Sequence, residues 1–473
     1  MDAVKTKKLL SEILALYAVL ACLIFIIGFR SFRMKEIKRE LVSSTGNTVE
    51  LTDGMDISQP LYAPAETITG MQIRFGLYGM TDSGMLYIKI CNNQNKTIAE
   101  KAVNIVQLKD KQINEITFDT PILCEKNEPV FLHLSSEGCS AGHSVTILTG
   151  HFDGQSQPYK INGIEQTGIL CADVIGEVSS NAWIWYWGVC ALILGIGILA
   201  VVRSWNDAVN GKENLLSDFS AFCIKYRFLM KQLIIRDFKT KYKRSILGVG
   251  WSFLNPLLTM SVQYIVFNTL FRSDIPNYPV YLLIGIVFMN YFSEAITLGM
   301  NSITGNSSLI KKVMVPKYVF SISRVISSLI NFGYALIPLG IVILLTRVEI
   351  HLSIILLIFD VMCLFGFVLG MVFLFATSMT FFQDTQFLWS VISLLWMYLT
   401  PVFYPETIIP SVIRPIYRLN PMYQYISFAR TCIIFGQAPA PEAYLGCFLS
   451  SLAVLSLGVS VFRKYQDQFV LYL

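Results

Sequence analysis

Lys239, Lys241, Lys243 and Arg244 fall within six residues and lie just ahead of Trp251. Cationic side chains at this density collect phosphate, guanidinium through paired hydrogen bonds and ammonium as a point charge. That is chemistry of binding. For bond-making the chain provides little: it has no GxxxxGK[ST] loop to cradle ATP, and no GxSxG, HExxH or EF-hand pattern. The four histidines, His133, His143, His151 and His351, have no partnered nucleophile, and satisfied or solvated imidazoles account for them. Ten cysteines include no CxxC pair and no Cys/His cluster at metal-ligand spacing. Neither a catalytic residue, a metal site nor a cofactor bound by this chain is therefore expected.

The elements that hold the cations follow from composition. Hydrophobic residues make up 54% of the 473 and charged residues 15%, well under the roughly 25% charge of a soluble chain, so a bilayer is the natural solvent. A net charge of +5 is too weak to point to nucleic acid. A spanning helix needs about 20 apolar residues. Eight stretches qualify: 9–29, 182–202, 246–271, 280–300, 319–346, 352–380, 386–402 and 441–462. The seventh is short and ends at Pro401. The first reads as a retained anchor and not a cleaved signal, because Arg30, Arg33, Lys35, Lys38 and Arg39 follow it where a small-residue cleavage site would stand.

Lysine and arginine in short loops mark the cytoplasmic side. The run Lys225, Arg227, Lys231, Arg236, Lys239, Lys241, Lys243, Arg244 sets the frame, and Lys311, Lys312, Lys317, Arg463 and Lys464 then fall on the same side. Both termini are expected inside and residues 30–181 outside. The run from Arg30 to Arg39 goes against the rule.

Residues 45–178 alternate where the rest runs. Met71–Phe75, Leu86–Ile90, Ile113–Phe118, Val130–Leu134 and Val145–Leu148 predict short strands between polar turns, hence a β-sandwich. Cys91, Cys124, Cys139 and Cys171 would be free to form disulfides outside the cell, in any of three pairings. The domain resembles extracytoplasmic β-sandwiches attached to bacterial cell-surface polysaccharide machinery, which implies sugar binding, with Tyr62, Tyr78 or Tyr87 as stacking platforms, or docking of a downstream ligase; a bland spacer or assembly role is the alternative.

Phe222 to Arg244 predicts a basic amphipathic helix, with Phe228, Leu229, Leu233, Ile234 and Phe238 on its apolar face. Such a helix lies in the membrane interface. It serves either as a plain anchor among membrane lipids or as the place where Lys239, Lys241, Lys243, Arg244 and Trp251 receive the phosphates of a lipid-linked substrate.

Five segments in order carry a family resemblance: Arg236-Asp-Phe-Lys-Thr-Lys-Tyr-Lys-Arg-Ser-Ile-Leu-Gly248 with Trp251 and Asn255-Pro256; Tyr281-Leu-Leu-Ile-Gly285 with Asn290-Tyr-Phe-Ser-Glu-Ala295; Asn306-Ser-Ser-Leu-Ile-Lys-Lys-Val-Met-Val-Pro316; Thr400-Pro-Val-Phe-Tyr-Pro405; and Leu419-Asn-Pro-Met422. Residues 222–473 thereby resemble the permease subunit of ABC-2 type polysaccharide, teichoic acid and O-antigen exporters. One departure is Gln383-Asp384, where that family often has Arg-Asp.

The resemblance implies a homodimer of six-helix cores in the inner membrane of a bacterium. It would rest on two ABC ATPase subunits that bind the ATP and magnesium, and move a lipid-linked teichoic acid, O-antigen or capsule-like polysaccharide. Leu309, Ile310, Lys311, Lys312, Val313, Met314 and Pro316 would then form the coupling loop that receives force from the ATPase; a solvated turn is the plain alternative. Phe381, Phe382, Trp389, Trp396, Tyr398, Phe403, Tyr404 and Tyr423 are candidates for an aromatic pore lining, though an interfacial aromatic belt has the same composition. The expected fold is a mostly α membrane protein of about eight transmembrane helices, six of them the permease core, with an inserted extracytoplasmic all-β sandwich. The expected domains are residues 1–29, 45–178, 182–203, 222–245 and 246–473.

Two other readings compete. A membrane glycosyltransferase or polymerase acting on lipid-linked sugars would need paired outer acids, and the core offers only Asp274, Glu349 and Glu406, far apart in sequence. A receptor would explain helix, exterior domain, helix, but not six further apolar segments.

Overall fold

A computed structural model describes residues 2–39, 41, 44–77, 84–108, 110, 113–140, 142–150, 157–209, 225–243, 245–271, 277–313, 315–406, 409–410 and 413–473. The chain divides into two compact units, one formed by Met1–Phe32 with Ala182–Leu473 and the other by Arg33–Asn181.

The second unit is all-β. Its antiparallel strands include β1 (Met34–Ile37), β2 (Ser44–Glu50), β3 (Asp56–Tyr62), β4 (Thr67–Gly76), β5 (Met85–Cys91), β6 (Thr97–Asn104), β7 (Ile113–Leu123), β8 (Pro129–Glu137) and β9 (Thr146–Gly150). Short β10 (Lys160–Ile161), β11 (Ile164–Glu165) and β12 (Ile169–Leu170) precede β13 (Ala172–Ser179). One sheet runs β1-β13-β4-β9-β12, with β2 on β9 and β7 on β4; the other runs β11-β10-β3-β8-β5-β6.

Ile88 and Leu134 of the second sheet share one core with Met71, Ile73 and Val174 of the first. Alternation explains this: over Met85–Ile90 of β5, Ile113–Phe118 of β7 and along β8 every other side chain is buried. The first and last strands pair, Met34 opposite Ser179. The basic run that resisted the charge rule therefore lies partly in this sheet, and Lys38 Nζ bonds Glu115 at 2.7 Å. The unit is accordingly wider than residues 45–178. No disulfide joins Cys91, Cys124, Cys139 and Cys171 in this structure.

The first unit is helical: α1 (Asp2–Ile27), α2 (Ala182–Val209), α3 (Arg227–Tyr242), α4 (Trp251–Phe271), α5 (Tyr278–Met300), α6 (Tyr318–Leu345), α7 (Leu357–Phe381), α8 (Thr385–Leu399), α9 (Pro421–Ile433) and α10 (Pro441–Tyr465), with shorter turns between. Among the described residues, Ala182–Arg203, Tyr278–Met300, Tyr318–Leu345, Leu352–Phe381 and Pro441–Tyr472 are long and apolar enough to cross a membrane; Ser11–Ile27 and Thr385–Leu399 are shorter apolar helices.

Helix α5 is buried on most sides and forms the centre of the bundle. Helices α7 and α10 cross without room for side chains, since a Cβ on Gly458 would meet the Gly370 carbonyl oxygen at 2.2 Å; small residues allow such approach where lipid provides no hydrophobic drive. At α1 and α2, Phe32 packs between the tilted rings of Tyr186 (4.6 Å) and Tyr444 of α10 (5.5 Å), and Tyr186 Oη donates to the Ala21 carbonyl at 2.7 Å.

Candidate functional site

One end of the bundle gathers the charge. Leu233 of α3, Ile303, Ile310, Phe320 of α6, Phe373 of α7, Phe462 of α10 and Phe469 form one buried cluster. That brings the cations of α3, Lys311–Lys312, Lys317 and Arg463–Lys464 to a common end, and Lys317 Nζ donates to the Gln466 carbonyl at 2.6 Å. Far apart in sequence, these basic loops are neighbours in space.

Helix α3 sets its face by a stripe at four-residue spacing: Leu229 is partly buried, Leu233 is buried and so is Asp237. Phe228, placed on the apolar face by its spacing, is instead 74% exposed. The buried carboxylate is compensated by two guanidinium groups, Arg236 and Arg324 of α6, each 3.1 Å from Asp237 Oδ1. Arg236 Nη1 also donates to Asn306 Oδ1 at 3.1 Å. One turn on, Lys241 Nζ reaches Glu294 Oε1 of α5 at 2.8 Å, and Asn331 Nδ2 of α6 donates to that same oxygen at 2.7 Å.

These groups line a cleft of about 920 Å³ together with Trp251, Ser252, Asn255, Asn290, Ser293 and Thr297. Arg236, Lys241 and Arg324 face Asp237 and Glu294 there, three cations against two carboxylates. An amphipathic wall with surplus positive charge suits an anionic headgroup attached to an apolar chain. Of the predicted group, Lys241 and Trp251 lie in this cleft. Lys239 and Lys243 are exposed and do not line it, and Arg244 lies outside the described residues.

The coupling candidates divide between inside and outside. Ile310 is buried and Leu309 partly so, both packed on the cluster around Leu233. Lys311, Lys312 and Val313 are exposed, Pro316 is half-buried and Met314 lies outside the described residues. Among the described coupling candidates, the exposed ones are therefore two cations and one apolar side chain.

The aromatics divide similarly. Trp389 is buried, donates Nε1–H to Thr297 Oγ1 at 3.0 Å and contacts Phe292 and Phe375. Trp396 lies 5.1 Å from Phe292 and donates to Asn420 Oδ1 at 2.9 Å. Phe381 packs on Tyr465, Phe469 and Tyr472. Phe403 and Tyr423 are buried, Tyr404 is half-buried, and only Phe382 and Tyr398 are largely exposed.

At the opposite end, Pro401 to Tyr404 leave helical geometry, so their carbonyls need partners. Buried Arg430 of α9 supplies two, donating to Pro401 O at 2.7 Å and Val402 O at 2.9 Å, and a third bond reaches Tyr281 O at 3.1 Å. Tyr278 Oη donates to Phe403 O at 2.7 Å and Tyr281 Oη to Tyr404 O at 2.9 Å. The guanidinium carbon stands 3.3 Å from the Tyr281 ring centroid. Gly285 makes the space: a Cβ there would lie 2.8 Å from Val402 and 3.0 Å from Arg430. Helices α8 and α9, at about 1.5 Å per residue, are too short to span alone and meet through this turn.

Sequence reasoning did not single out Asp237, Glu294, Arg324 or Arg430 as site residues. Asp237 sits among the cations of α3 and gives no signal, whereas charges inside otherwise apolar segments are the signal that points to Glu294, Arg324 and Arg430. Asp360 belongs with them: it is fully buried, with Cys447 Sγ 3.9 Å from Oδ1. Glu406 bonds Tyr423 and Arg418, Glu349 faces His351 at 3.5 Å, and Asp274 lies outside the described residues. No metal-holding group of three His, Cys, Asp or Glu occurs among the described residues. In the β unit, His133 Nδ1 lies 2.9 Å from Asp56 and Tyr87 Oη donates to Glu137 at 2.9 Å; Tyr62 is half-buried and Tyr78 lies outside the described residues.

Comparison with known proteins covers the part that carries the cleft. A family model described as "ABC-2 type transporter" matches residues 229–434. An "O-antigen export system permease protein RfbA" of Myxococcus xanthus is 29% identical over 248 residues, 52% of this chain and 95% of that protein. A protein of the same description from Klebsiella pneumoniae is 30% identical over 239 residues, 50% of this chain and 90% of its own length.

Proposed function

We infer that this chain, which belongs to the ABC-2 type transporter family, is the membrane-spanning subunit of an exporter for a lipid-linked polysaccharide, of which O-antigen is the class named in its relatives. The observation that carries this reading is the cleft of Arg236, Lys241, Trp251 and Arg324, which lies inside the family-matched region and joins a cationic, polar wall to apolar helices. A lipid-borne phosphate or diphosphate would dock there, its chain in the bilayer and its sugars directed into the bundle.

Work is supplied from outside the chain, by an ABC ATPase holding ATP and magnesium. Lys311, Lys312 and Val313 are the exposed groups on the coupling loop that such a partner would meet. A second copy of the chain completes the conduit. Helix α8 leaves Phe387, Leu388, Val391, Leu394 and Leu395 exposed, and α4 leaves Leu258, Val262 and Ile265, an apolar area that lipid or a partner copy would cover. With the basic end facing the cytoplasm of a bacterial cell, the β unit is delivered outside, where it would meet the emerging polymer. Teichoic acid and capsule remain alternatives for the polymer.

The experiment is to replace Lys241 with Gln and follow polymer on both sides of the membrane. Undelivered glycolipid should accumulate inside while surface polymer falls. Normal surface polymer in a stably produced variant would leave α3 as an anchor only.

A further inference from the structure

Lys241 is an accessible cation of the cleft, and it already has an anion: Glu294 Oε1, at 2.8 Å, with side chains 41% and 29% exposed. Asn331 Nδ2 holds the same oxygen at 2.7 Å, so the carboxylate stays aimed at the ammonium. The other two cations are differently engaged, since Arg236 and Arg324 both bond Asp237 Oδ1, whose residue is buried. A phosphate entering the cleft can therefore exchange with Glu294 far more readily than with Asp237.

We propose that Glu294 is an internal competitor for the headgroup: a phosphate-bearing lipid binds by displacing its carboxylate from Lys241, and the carboxylate's return drives release. This rests on the reading of the cleft as the headgroup site and adds how that site lets go. A conduit must bind loosely enough to pass its cargo on. A carboxylate carries one charge and a lipid diphosphate two or more, so the diphosphate wins the ammonium while a neutral or zwitterionic lipid does not.

The test is binding of farnesyl diphosphate to the full chain in phosphatidylcholine nanodiscs, by isothermal titration, with inorganic pyrophosphate and 20% phosphatidylglycerol discs as further arms. Partly exposed ion pairs are worth about 0.2–1 kcal/mol, so Glu294→Gln should tighten binding by up to about fivefold. Glu294→Ala should shift it in the same direction, which guards against a folding artefact of one variant. In a Lys241→Gln background the gain should vanish. Unchanged or weaker binding in both Glu294 variants, with the wild type binding normally, would overturn the exchange and leave the headgroup site standing. No binding by any form would overturn both. A gain confined to pyrophosphate, or abolished only by competing phosphatidylglycerol, would show a general anion or phospholipid site and also overturn the proposal.

Discussion

Replacing Arg430 with Met should unlock the turn between α8 and α9. Methionine keeps much of the aliphatic volume and removes the guanidinium, so three hydrogen bonds disappear, to Pro401 O, Val402 O and Tyr281 O. The Tyr281 carbonyl lies within α5, whose own amide ladder serves it. Val402 O has no such recourse and Pro401 O keeps only a long 3.3 Å bond from Tyr281 Oη, and a buried carbonyl left unpaired costs about 1–3 kcal/mol. Methionine also escapes the cost of burying a charge, so the expected net loss is about 1–3 kcal/mol. Arg430→Lys should recover only part, because one ammonium cannot reproduce the fork that spans both carbonyls. Equilibrium unfolding in mixed micelles measures the difference, with Tyr281→Phe, losing the 2.9 Å bond to Tyr404 O and the longer 3.3 Å bond to Pro401 O, as a calibrating change of about 1 kcal/mol. A loss below about 1 kcal/mol for Arg430→Met would refute the argument that this side chain satisfies the turn.

Lys311→Glu combined with Lys312→Glu should lower substrate-stimulated ATP hydrolysis by the assembled complex severalfold while the chain still folds; unchanged hydrolysis would remove these lysines from coupling. Deleting residues 45–178, or better the whole unit 34–180 with a short linker, should spare association with the ATPase and alter polymer delivery, both read by co-purification and surface polymer. In the β unit, Ser144 donates to Glu50 at 2.8 Å and that bond, with the Gly142 amide, holds the Glu50 carboxyl below its ordinary range. A depressed carboxyl stabilises above its unfolded pKa and loses that contribution as pH falls through the folded one. Ser144→Ala should thus lower the unit's melting temperature at pH 7 and have a smaller effect near pH 3, with circular dichroism as the readout; an equal loss at both pH values would make the effect one of packing.

The β unit was legible wherever one face is buried. Met71–Phe75, Leu86–Ile90, Ile113–Phe118 and Val130–Leu134 lie within β4, β5, β7 and β8, and the fifth run overlaps β9. Strand β3 contains Pro60, and β6 is a polar edge strand with no buried residue, so neither announces itself by alternation. The long apolar helices were equally clear, and the short α8 was recognised by its stop at Pro401. The site was legible in part. Basic density marked Lys241 and Trp251, but nothing in local spacing pairs Lys241 with Glu294 or Asp237 with Arg324, because tertiary packing brings those helices together. The motif Tyr281-Leu-Leu-Ile-Gly285 was visible as a string, whereas its physical reason, a glycine making space for a buried arginine, needed the fold.

A conduit driven by another protein's nucleotide chemistry hydrolyses no ATP of its own. The direct test is to purify the tagged chain from its native membranes, measure ATP hydrolysis, then strip peripheral proteins and measure again. An ABC ATPase should co-purify, carry all of the hydrolysis, and restore polymer transport when returned to proteoliposomes holding the stripped chain. Hydrolysis by the stripped chain itself, or transport without the returned subunit, would contradict the account.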